Sequence, residues 1–135
     1  MLQINKIILR EIRLTLVEPF QISSGTSSER RIFILEFRNP DGIIGWSECV
    51  AGGKPNYSPE TIDTCWLAIK QWLAPRVLSR EFSGPEEIFP ALEEDIRGHN
   101  MAKAAIEMGA WELAASIRQV PLAKLIGGAR DQIAT

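Results

Sequence analysis

The residues that could carry out a chemical step are few in this chain, and they stand apart from one another. A nucleophilic triad needs a histidine close to its nucleophile, and the only histidine, His99, lies between a glycine and the start of a predicted helix. Glu48 is a lone carboxylate at the end of a predicted strand, where a structural hydrogen bond is favoured over a catalytic role. We therefore predict that the chain has no self-sufficient active site and no catalytic residue of its own.

The sequence also predicts neither a phosphate-binding site nor a metal site. The run 52–54, Gly-Gly-Lys, lacks the first glycine of a phosphate loop at the required spacing, and Pro55 stands where that loop needs a hydroxyl. The acidic residues within 86–95 alternate with apolar ones at helical spacing, which is typical of a solvated helix face. Cys49 and Cys65 have no partner at metal spacing, so we interpret them as reduced, partly buried thiols. No metal ligand is predicted in this chain.

Composition describes one ordinary globular domain. The chain has 135 residues, 45% hydrophobic and 24% charged, with a net charge of -2 and dispersed basic residues. This charge pattern does not suit a nucleic-acid partner. No apolar run approaches the roughly 20 residues that span a bilayer, and the first residues lack the order of a signal peptide. We expect a cytoplasmic protein that does not bind membranes.

The first third of the chain has the alternation of strands. Apolar residues at even positions, interrupted by Ile7 and Leu9, predict a long, bent or bulged strand over 4–17. Residues 31–37 are rich in β-branched and aromatic side chains and predict a second strand. The turn sequence Asn-Pro-Asp-Gly at 39–42 then predicts a return strand over 43–48. Three consecutive strands of this kind form an antiparallel meander.

Helical patterns begin after the third strand. Ser58, Pro59 and Glu60 offer an N-cap oxygen, a preset first turn and a favourable charge, and apolar residues at helical spacing follow as far as Pro75. A shorter helix is predicted over 85–96.

The last predicted helix, 101–118, is alanine-rich and apolar nearly all round, which requires burial on more than one side. Gly109 costs about 1 kcal/mol of helix stability relative to alanine, so we interpret it as a packing requirement. We also expect this helix to leave an apolar face uncovered within this chain, and we expect its alanine- and leucine-bearing surface to drive self-association.

Two glycine-rich segments each carry one isolated aromatic residue. Phe20 precedes the Gly/Ser run 23–28, and Tyr57 closes the segment 50–57, which contains two glycines, a proline and an asparagine. These compositions are typical of mobile surface loops with one large contact group. The second segment suits a lid better than a core.

Taken in order, these motifs resemble the N-terminal domain of enolase-superfamily enzymes. The matching stretches are 16–20 with Ser23, Gly25 and Thr26, 45–50 with Pro55, Tyr57, Ser58 and Glu60, 98–108, and 125–128. Among these enzymes the chain is most similar to the o-succinylbenzoate synthase and N-acylamino acid racemase group, of the mandelate racemase/muconate lactonizing enzyme type. It departs from the common pattern at Ser47 and Glu112, where a glycine and an aspartate are more usual.

The resemblance implies an α+β fold, with a three-stranded antiparallel meander followed by a helical bundle. It implies that residues 1–128 form a capping domain and that 129–135 begin the linker or the first strand of a catalytic (β/α) barrel that is absent from this chain. In that family the barrel holds Mg²⁺ and the catalytic lysines, and none of those positions matches a residue here. The implied partners are the protein's own C-terminal barrel and a small carboxylate substrate, and we expect the complete protein to be a homo-oligomer.

The resemblance assigns to this chain the closing of two loops over the substrate. The implied substrate-binding residues are Phe20, Ser24, Gly25, Ala51, Gly52 and Tyr57. The implied activity is that of an o-succinylbenzoate synthase, a dehydration in menaquinone biosynthesis, or of an N-acylamino acid racemase. A dipeptide epimerase or a muconate-cycloisomerase-like enzyme is the alternative within the superfamily, and a free-standing binding or assembly module is the alternative outside it.

Overall fold

Three consecutive antiparallel strands form the larger sheet of the structure, a computed structural model that describes residues 1–23, 25–130 and 132. The strands are β1 (Leu2–Gln3), β2 (Lys6–Ile22), β3 (Gly25–Arg38), β4 (Ile44–Cys49) and β5 (Glu81–Phe82). The helices are α1 (Ile62–Ala68), α2 (Ala74–Val77), α3 (Ile88–Glu93), α4 (Asn100–Arg118) and α5 (Leu122–Leu125). A π-helical turn, Ile69–Leu73, joins α1 to α2, and a 3₁₀ turn, Pro85–Glu87, precedes α3.

The predicted meander is confirmed, with the strand order β2-β3-β4. The turn 39–42 also forms as predicted, since Gly42 has φ of 82° and its N–H donates to the carbonyl of Asn39 at 3.1 Å. The pairing of β2 with β3 shifts register between Thr15 and Phe20. At Ile7 and Leu9, where the interrupted alternation suggested a bend or bulge, the pairing is regular. The prediction of a loop over 23–28 is corrected, because β3 begins at Gly25 and its pairing runs to the tip of the hairpin.

One face of this sheet packs against the helices. Phe33, Leu35 and Phe37 of β3 point into the core and are buried. Ile7 and Leu9 lie directly opposite Phe37 and Leu35 and pack against the same core. Ile7 and Leu9, which interrupt the alternation in the sequence, are therefore the residues of β2 that pack against the core shared with the helices.

The first helix differs from its prediction at both ends. Thr61, not Ser58, is its N-cap, and Thr61 and Thr64 form a capping box in which each side chain accepts from the backbone N–H of the other. The helix also continues past Pro75. Immediately before Pro75, the N–H of Ala74 donates to the carbonyl of Ile69 in a π turn, which is wider than an α-helical turn. Pro75 then lies in the first turn of α2, where its missing N–H is tolerated.

The long helix α4 lies across β3 and β4 and is closed in by the domain itself. Its alanines that face inward are almost fully buried, namely Ala102, Ala105, Ala110, Ala114 and Ala115. The alanine-bearing face that we expected to stay uncovered is therefore occupied by the sheet and the neighbouring helices. The exposed apolar side chain of α4 is instead Met108.

The end of the chain is only partly described. Gly127 has φ of 88° after α5, a conformation that favours glycine at the end of a helix. Of the predicted linker or strand at 129–135, residues 129, 130 and 132 have no regular secondary structure, and the others lie outside the described residues. None of the helices in the described part is long and apolar enough to cross a membrane.

Candidate functional site

The first predicted substrate-binding segment lies at the tip of the long β2-β3 hairpin. Phe20 is 64% exposed there and pairs with Ser27 across the hairpin. Gly25 has φ of 141°, a conformation that favours glycine, and it opens β3. Ser24, also predicted to bind substrate, lies outside the described residues. The hairpin thus presents one free aromatic ring beside a backbone turn that needs a glycine.

The second segment is fixed at its beginning and open in its middle. Ala51 is only 2% exposed, so its side chain packs in the core. The carbonyl of Gly52 accepts the N–H of Ile62 at 2.9 Å, which holds the segment on the start of α1. Residues 53–57 are exposed, and Tyr57 is 93% exposed. Ala51 therefore anchors the segment, while Gly52 and Tyr57 lie on its accessible part.

Glu60 fixes the far end of the same segment to α4. The N–H of Met101 lies 3.0 Å from both carboxylate oxygens of Glu60, and the N–H of Ala102 lies 3.3 Å from one of them. The N-cap position of α4, His99, has φ of 55° and supplies no side-chain cap. Glu60 therefore satisfies first-turn N–H groups that α4 leaves open. The sequence assigned this charge to the helix that follows Glu60, whereas the structure gives it to a helix about 40 residues away.

Two cysteines lie beneath this anchor. Cys49 and Cys65 are free and buried, and the sulfur of Cys65 lies 3.5 Å from a carboxylate oxygen of Glu60. A hydrogen bond from the Cys65 thiol to Cys49, together with burial, raises the pKa of Cys65. A protonated, buried thiol such as that of Cys65 is a poor nucleophile.

Arginines of β3 join the hairpin to the second segment and to α1. Arg30 donates to the carbonyl of Val50 at 3.4 Å. Arg31 donates to Glu11 at 2.6 Å and to Asp63 at 2.9 Å, which bridges β2 and α1. The hydrogen bond from Arg31 lowers the pKa of Glu11 and keeps that carboxylate charged. No local pattern marks these pairs in the sequence, because each joins residues 20 or more positions apart.

Phe20 and Tyr57 carry the exposed aromatic rings of the two segments. In the described part of the chain, no side-chain hydrogen bond or ring contact involves Phe20 or Tyr57. The structure thus holds the bases of both segments in place and leaves the two rings free to contact another molecule. It does not bring Phe20 and Tyr57 together.

The other residues with chemical potential do not form a site. Glu48 is exposed, and the hydrogen bond predicted for it is not found within the residues that the structure covers. His99 packs edge-on against Trp72, with ring centroids 5.3 Å apart, and its Nδ1 is buried. Within the acidic run, Glu93 departs from the predicted solvated face because it pairs with Lys103, which is completely buried.

The described residues also do not fit the magnesium ion that the resemblance implies. Among them no group of three or more histidine, cysteine or acidic side chains could hold a metal ion. Hard divalent cations need several oxygen ligands in one place. We therefore assign no chemical step to a metal on these residues.

Comparison with known proteins gives a consistent result. Residues 4–127 match the model of the mandelate racemase/muconate lactonizing enzyme N-terminal domain. The chain is 38% identical over 133 residues to the o-succinylbenzoate synthase of Bacillus subtilis, covering 98% of this chain and 36% of that protein. It is 32% identical over 132 residues to an N-succinylamino acid racemase of Amycolatopsis, covering 98% of this chain and 35% of that protein. An enolase-superfamily member from Listeria innocua superposes with a TM-score of 0.90 at 35% identity, over 96% of this chain and 35% of that one.

Proposed function

The chain belongs to the mandelate racemase/muconate lactonizing enzyme family, whose N-terminal domain it matches, and we propose that it is the capping domain of an enolase-superfamily lyase or isomerase. The chain spans only about a third of the length of its relatives, 36% in the Bacillus subtilis synthase. In the proposal, residues 1–128 are the cap and the remainder of the enzyme is a barrel that supplies Mg²⁺ and the catalytic groups. The cap alone is inactive.

The main support for this proposal is the pair of anchored segments with free aromatic rings. The hairpin tip is held by strand pairing, and the second segment is held by Ala51, Gly52 and Glu60. A lid needs fixed ends and a mobile middle that can close over a substrate. The second segment has fixed ends and an exposed middle, and the first presents the exposed ring of Phe20 on a paired hairpin tip.

In the complete enzyme, Phe20, Ser24, Gly25, Gly52 and Tyr57 line the outer end of the substrate pocket, and Ala51 holds the second segment in position. Closure by these segments excludes water and contacts the variable part of the substrate. The substrate is a small carboxylate whose charged end is held by the barrel. The cap therefore selects among substrates and takes no part in proton transfer.

The activity we propose is that of an o-succinylbenzoate synthase, with N-acylamino acid racemisation as the second candidate. The first is favoured by the 38% identity to the Bacillus subtilis synthase. The second is favoured by the 32% identity to the Amycolatopsis racemase over nearly all of this chain. Assays of both activities on the chimera described below decide between the two candidates.

The test is a chimera in which this chain replaces the matching part of the Bacillus subtilis synthase. Tyr57→Ala and Gly52→Met should change the ratio of kcat/KM between two substrates that differ by one methylene, by a factor on the order of ten. Phe89→Ala serves as a control, because Phe89 is a partly exposed aromatic on α3, outside both segments. An equal loss for every substrate, together with a lower melting temperature, would show that the residues only maintain structure.

A further inference from the structure

An open cavity of about 500 Å³ lies between the helical segment 72–76 and the loop 95–99 that precedes α4. We call it the Arg97 cavity, and its lining includes Trp72, Arg76, Asp95, Ile96, Arg97 and His99. A volume of this size is typical of sites for small molecules. None of the lining residues belongs to either proposed substrate segment, so the cavity is distinct from the site described above.

Two arginines give the Arg97 cavity its charge. The guanidinium of Arg76 donates to the carbonyl of Ala91 at 3.4 Å and lies 3.9 Å from a carboxylate oxygen of Glu94. Arg97 is exposed, and in the described part of the chain its side chain has no hydrogen bond and no ion pair. Asp95 is the one acidic residue among the described lining residues. The lining therefore carries one net positive charge, which suits a monoanion.

His99 contributes an unsatisfied polar atom to the same region. Its Nδ1 is buried and has no hydrogen-bond partner among the residues that the structure describes. The imidazole is held at the wall of the cavity by its edge-on contact with Trp72, with ring centroids 5.3 Å apart. A buried polar atom without a partner costs free energy. The imidazole is thus a hydrogen-bonding group for which the described residues 1–23, 25–130 and 132 offer no partner.

The loop 95–99 has a strained backbone. Asp95 has φ of 57°, Gly98 of 67° and His99 of 55°. This left-handed conformation is costly for residues other than glycine, and such strain is concentrated at ligand-binding and active sites. The attraction for an anion does not come from the start of α4, because Glu60 already accepts N–H groups of its first turn. It comes from the arginine side chains that the strained loop and α2 bring together.

An apolar wall completes the cavity. Trp72 is 42% exposed, and the partly buried Ile96 also lines the cavity. The face of an indole ring favours offset stacking with another planar ring. A guanidinium group favours a carboxylate, to which it donates two parallel hydrogen bonds. A ligand that satisfies both features is a planar ring that carries one carboxylate.

We propose that the Arg97 cavity binds a small aromatic monocarboxylate. The carboxylate accepts hydrogen bonds from the guanidinium of Arg97 and from the imidazole of His99, and the aromatic ring lies on Trp72. Arg76 adds positive charge from the opposite wall. A doubly charged anion such as inorganic phosphate fits less well, because Asp95 in the same lining repels the second charge. The proposal does not depend on the proposed function, since it concerns residues outside both substrate segments.

Nuclear magnetic resonance of the imidazole ring measures this binding directly, because His99 is the only histidine of the 135-residue chain. Titration with benzoate should shift the ring signals along a saturable curve, with a Kd of about 1 mM or lower. Cyclohexanecarboxylate has the same charge without a planar ring, and it should bind more weakly, as should inorganic phosphate. Ring signals that do not respond to benzoate, or an equal affinity for either comparison anion, would overturn the proposal.

Substitution of Arg97 supplies a second measurement. Arg97→Gln should weaken benzoate binding by a factor on the order of ten, because it removes charged hydrogen bonds to the ligand. Arg97→Lys keeps the charge but not the paired donors, and its affinity should be intermediate. Arg13→Gln removes an exposed arginine on β2 and is the matched control with unchanged affinity. Since Arg97 is exposed, the melting temperature should stay the same in all three variants. Full affinity in Arg97→Gln would rule out the assigned role of Arg97 and, with it, the site.

Discussion

The carboxylate of Glu60 is the main polar link between the second segment and α4. It accepts backbone N–H groups of Met101 and Ala102, which begin a helix without a side-chain cap of its own. A charged acceptor at this position also interacts favourably with the helix dipole. One side chain thus fixes both the lid-like segment and the start of the longest helix.

Removal of this acceptor should loosen both elements. We expect Glu60→Ala to lower the free energy of unfolding by about 0.5–2 kcal/mol, as for the loss of other helix caps, and to speed hydrogen exchange at Met101 and Ala102. Glu60→Gln keeps an acceptor oxygen and should lose less. Glu81→Ala, at the exposed position of β5, is the control. Unchanged exchange at Met101 in the alanine variant would show that Glu60 does not cap α4.

Glu36 forms a second polar centre, on the sheet face away from the helices. Its side chain is only 4% exposed and lies 2.7 Å from Arg10 and 2.5 Å from Arg38. Burial by itself would raise the pKa of Glu36, but the hydrogen bonds from Arg38 and Arg10 outweigh it and lower the pKa below its ordinary value.

A lowered pKa makes stability depend on pH in a defined direction. The stabilisation from Glu36 is complete above the pKa of an unfolded glutamate, about 4.3, and is lost as the pH falls through the lower pKa of the folded protein. Urea unfolding between pH 6 and pH 2, a range of about four units around those values, should show this loss. The Glu36→Gln variant should be less stable than the original protein at neutral pH. Its free energy of unfolding should also fall less steeply with pH below about 4.3, the ordinary pKa of glutamate. A variant with the same dependence would contradict the assignment.

At the scale of elements, the contact between α4 and the sheet is made by two glycines. A methyl group at Gly109 would collide with the ring of Phe37. A methyl group at Gly45 would lie 2.6 Å from the backbone nitrogen of Leu113. The helix and the sheet therefore approach more closely than any residue with a side chain at these positions allows.

Gly109→Ala should destabilise the protein although alanine favours helices. Overpacking in a core costs about 1–3 kcal/mol of stability. The replacement of glycine by alanine gains about 1 kcal/mol of helix propensity, so that the clash with Phe37 should outweigh the gain. Phe37→Leu should be less costly in the Gly109→Ala background than alone, and a double-mutant cycle measures this coupling. Gly45→Ala should not be rescued by a smaller residue at Leu113, because the obstacle is backbone. Additive effects at Gly109 and Phe37 would contradict the proposed contact.

At the scale of the whole molecule, the described part of the chain has no cluster of side chains that could hold a metal ion. The proposed enzyme places Mg²⁺ in the barrel. Calorimetry on the 135-residue chain should therefore detect no Mg²⁺ binding in the micromolar range, whereas the chimera with the Bacillus subtilis barrel should bind it. Micromolar binding by the chain alone would require a different division of labour between the two parts.

Local sequence determined the larger sheet and the long helix of this protein. Alternation of apolar residues and the Asn-Pro-Asp-Gly turn were sufficient for the meander, because strand faces and tight turns depend on neighbours along the chain. Helical spacing likewise located α4, and the cost of a mid-helix glycine correctly indicated a packing role for Gly109. Resemblance to a family added the identity of the domain and the two segments, while contact of Phe20 and Tyr57 with substrate stays a prediction.

Only the tertiary structure decided which helix each capping group serves and which surfaces remain open. Glu60 bonds to Met101, 41 positions away, and Glu93 pairs with the buried Lys103. The alanines of α4 are covered by strands from the first part of the chain, whereas Met108 and Trp46 are left in an acidic groove. Each of these outcomes depends on the distance between residues remote in sequence. Neither periodicity nor propensity contains that distance, because both describe a residue only relative to its neighbours along the chain.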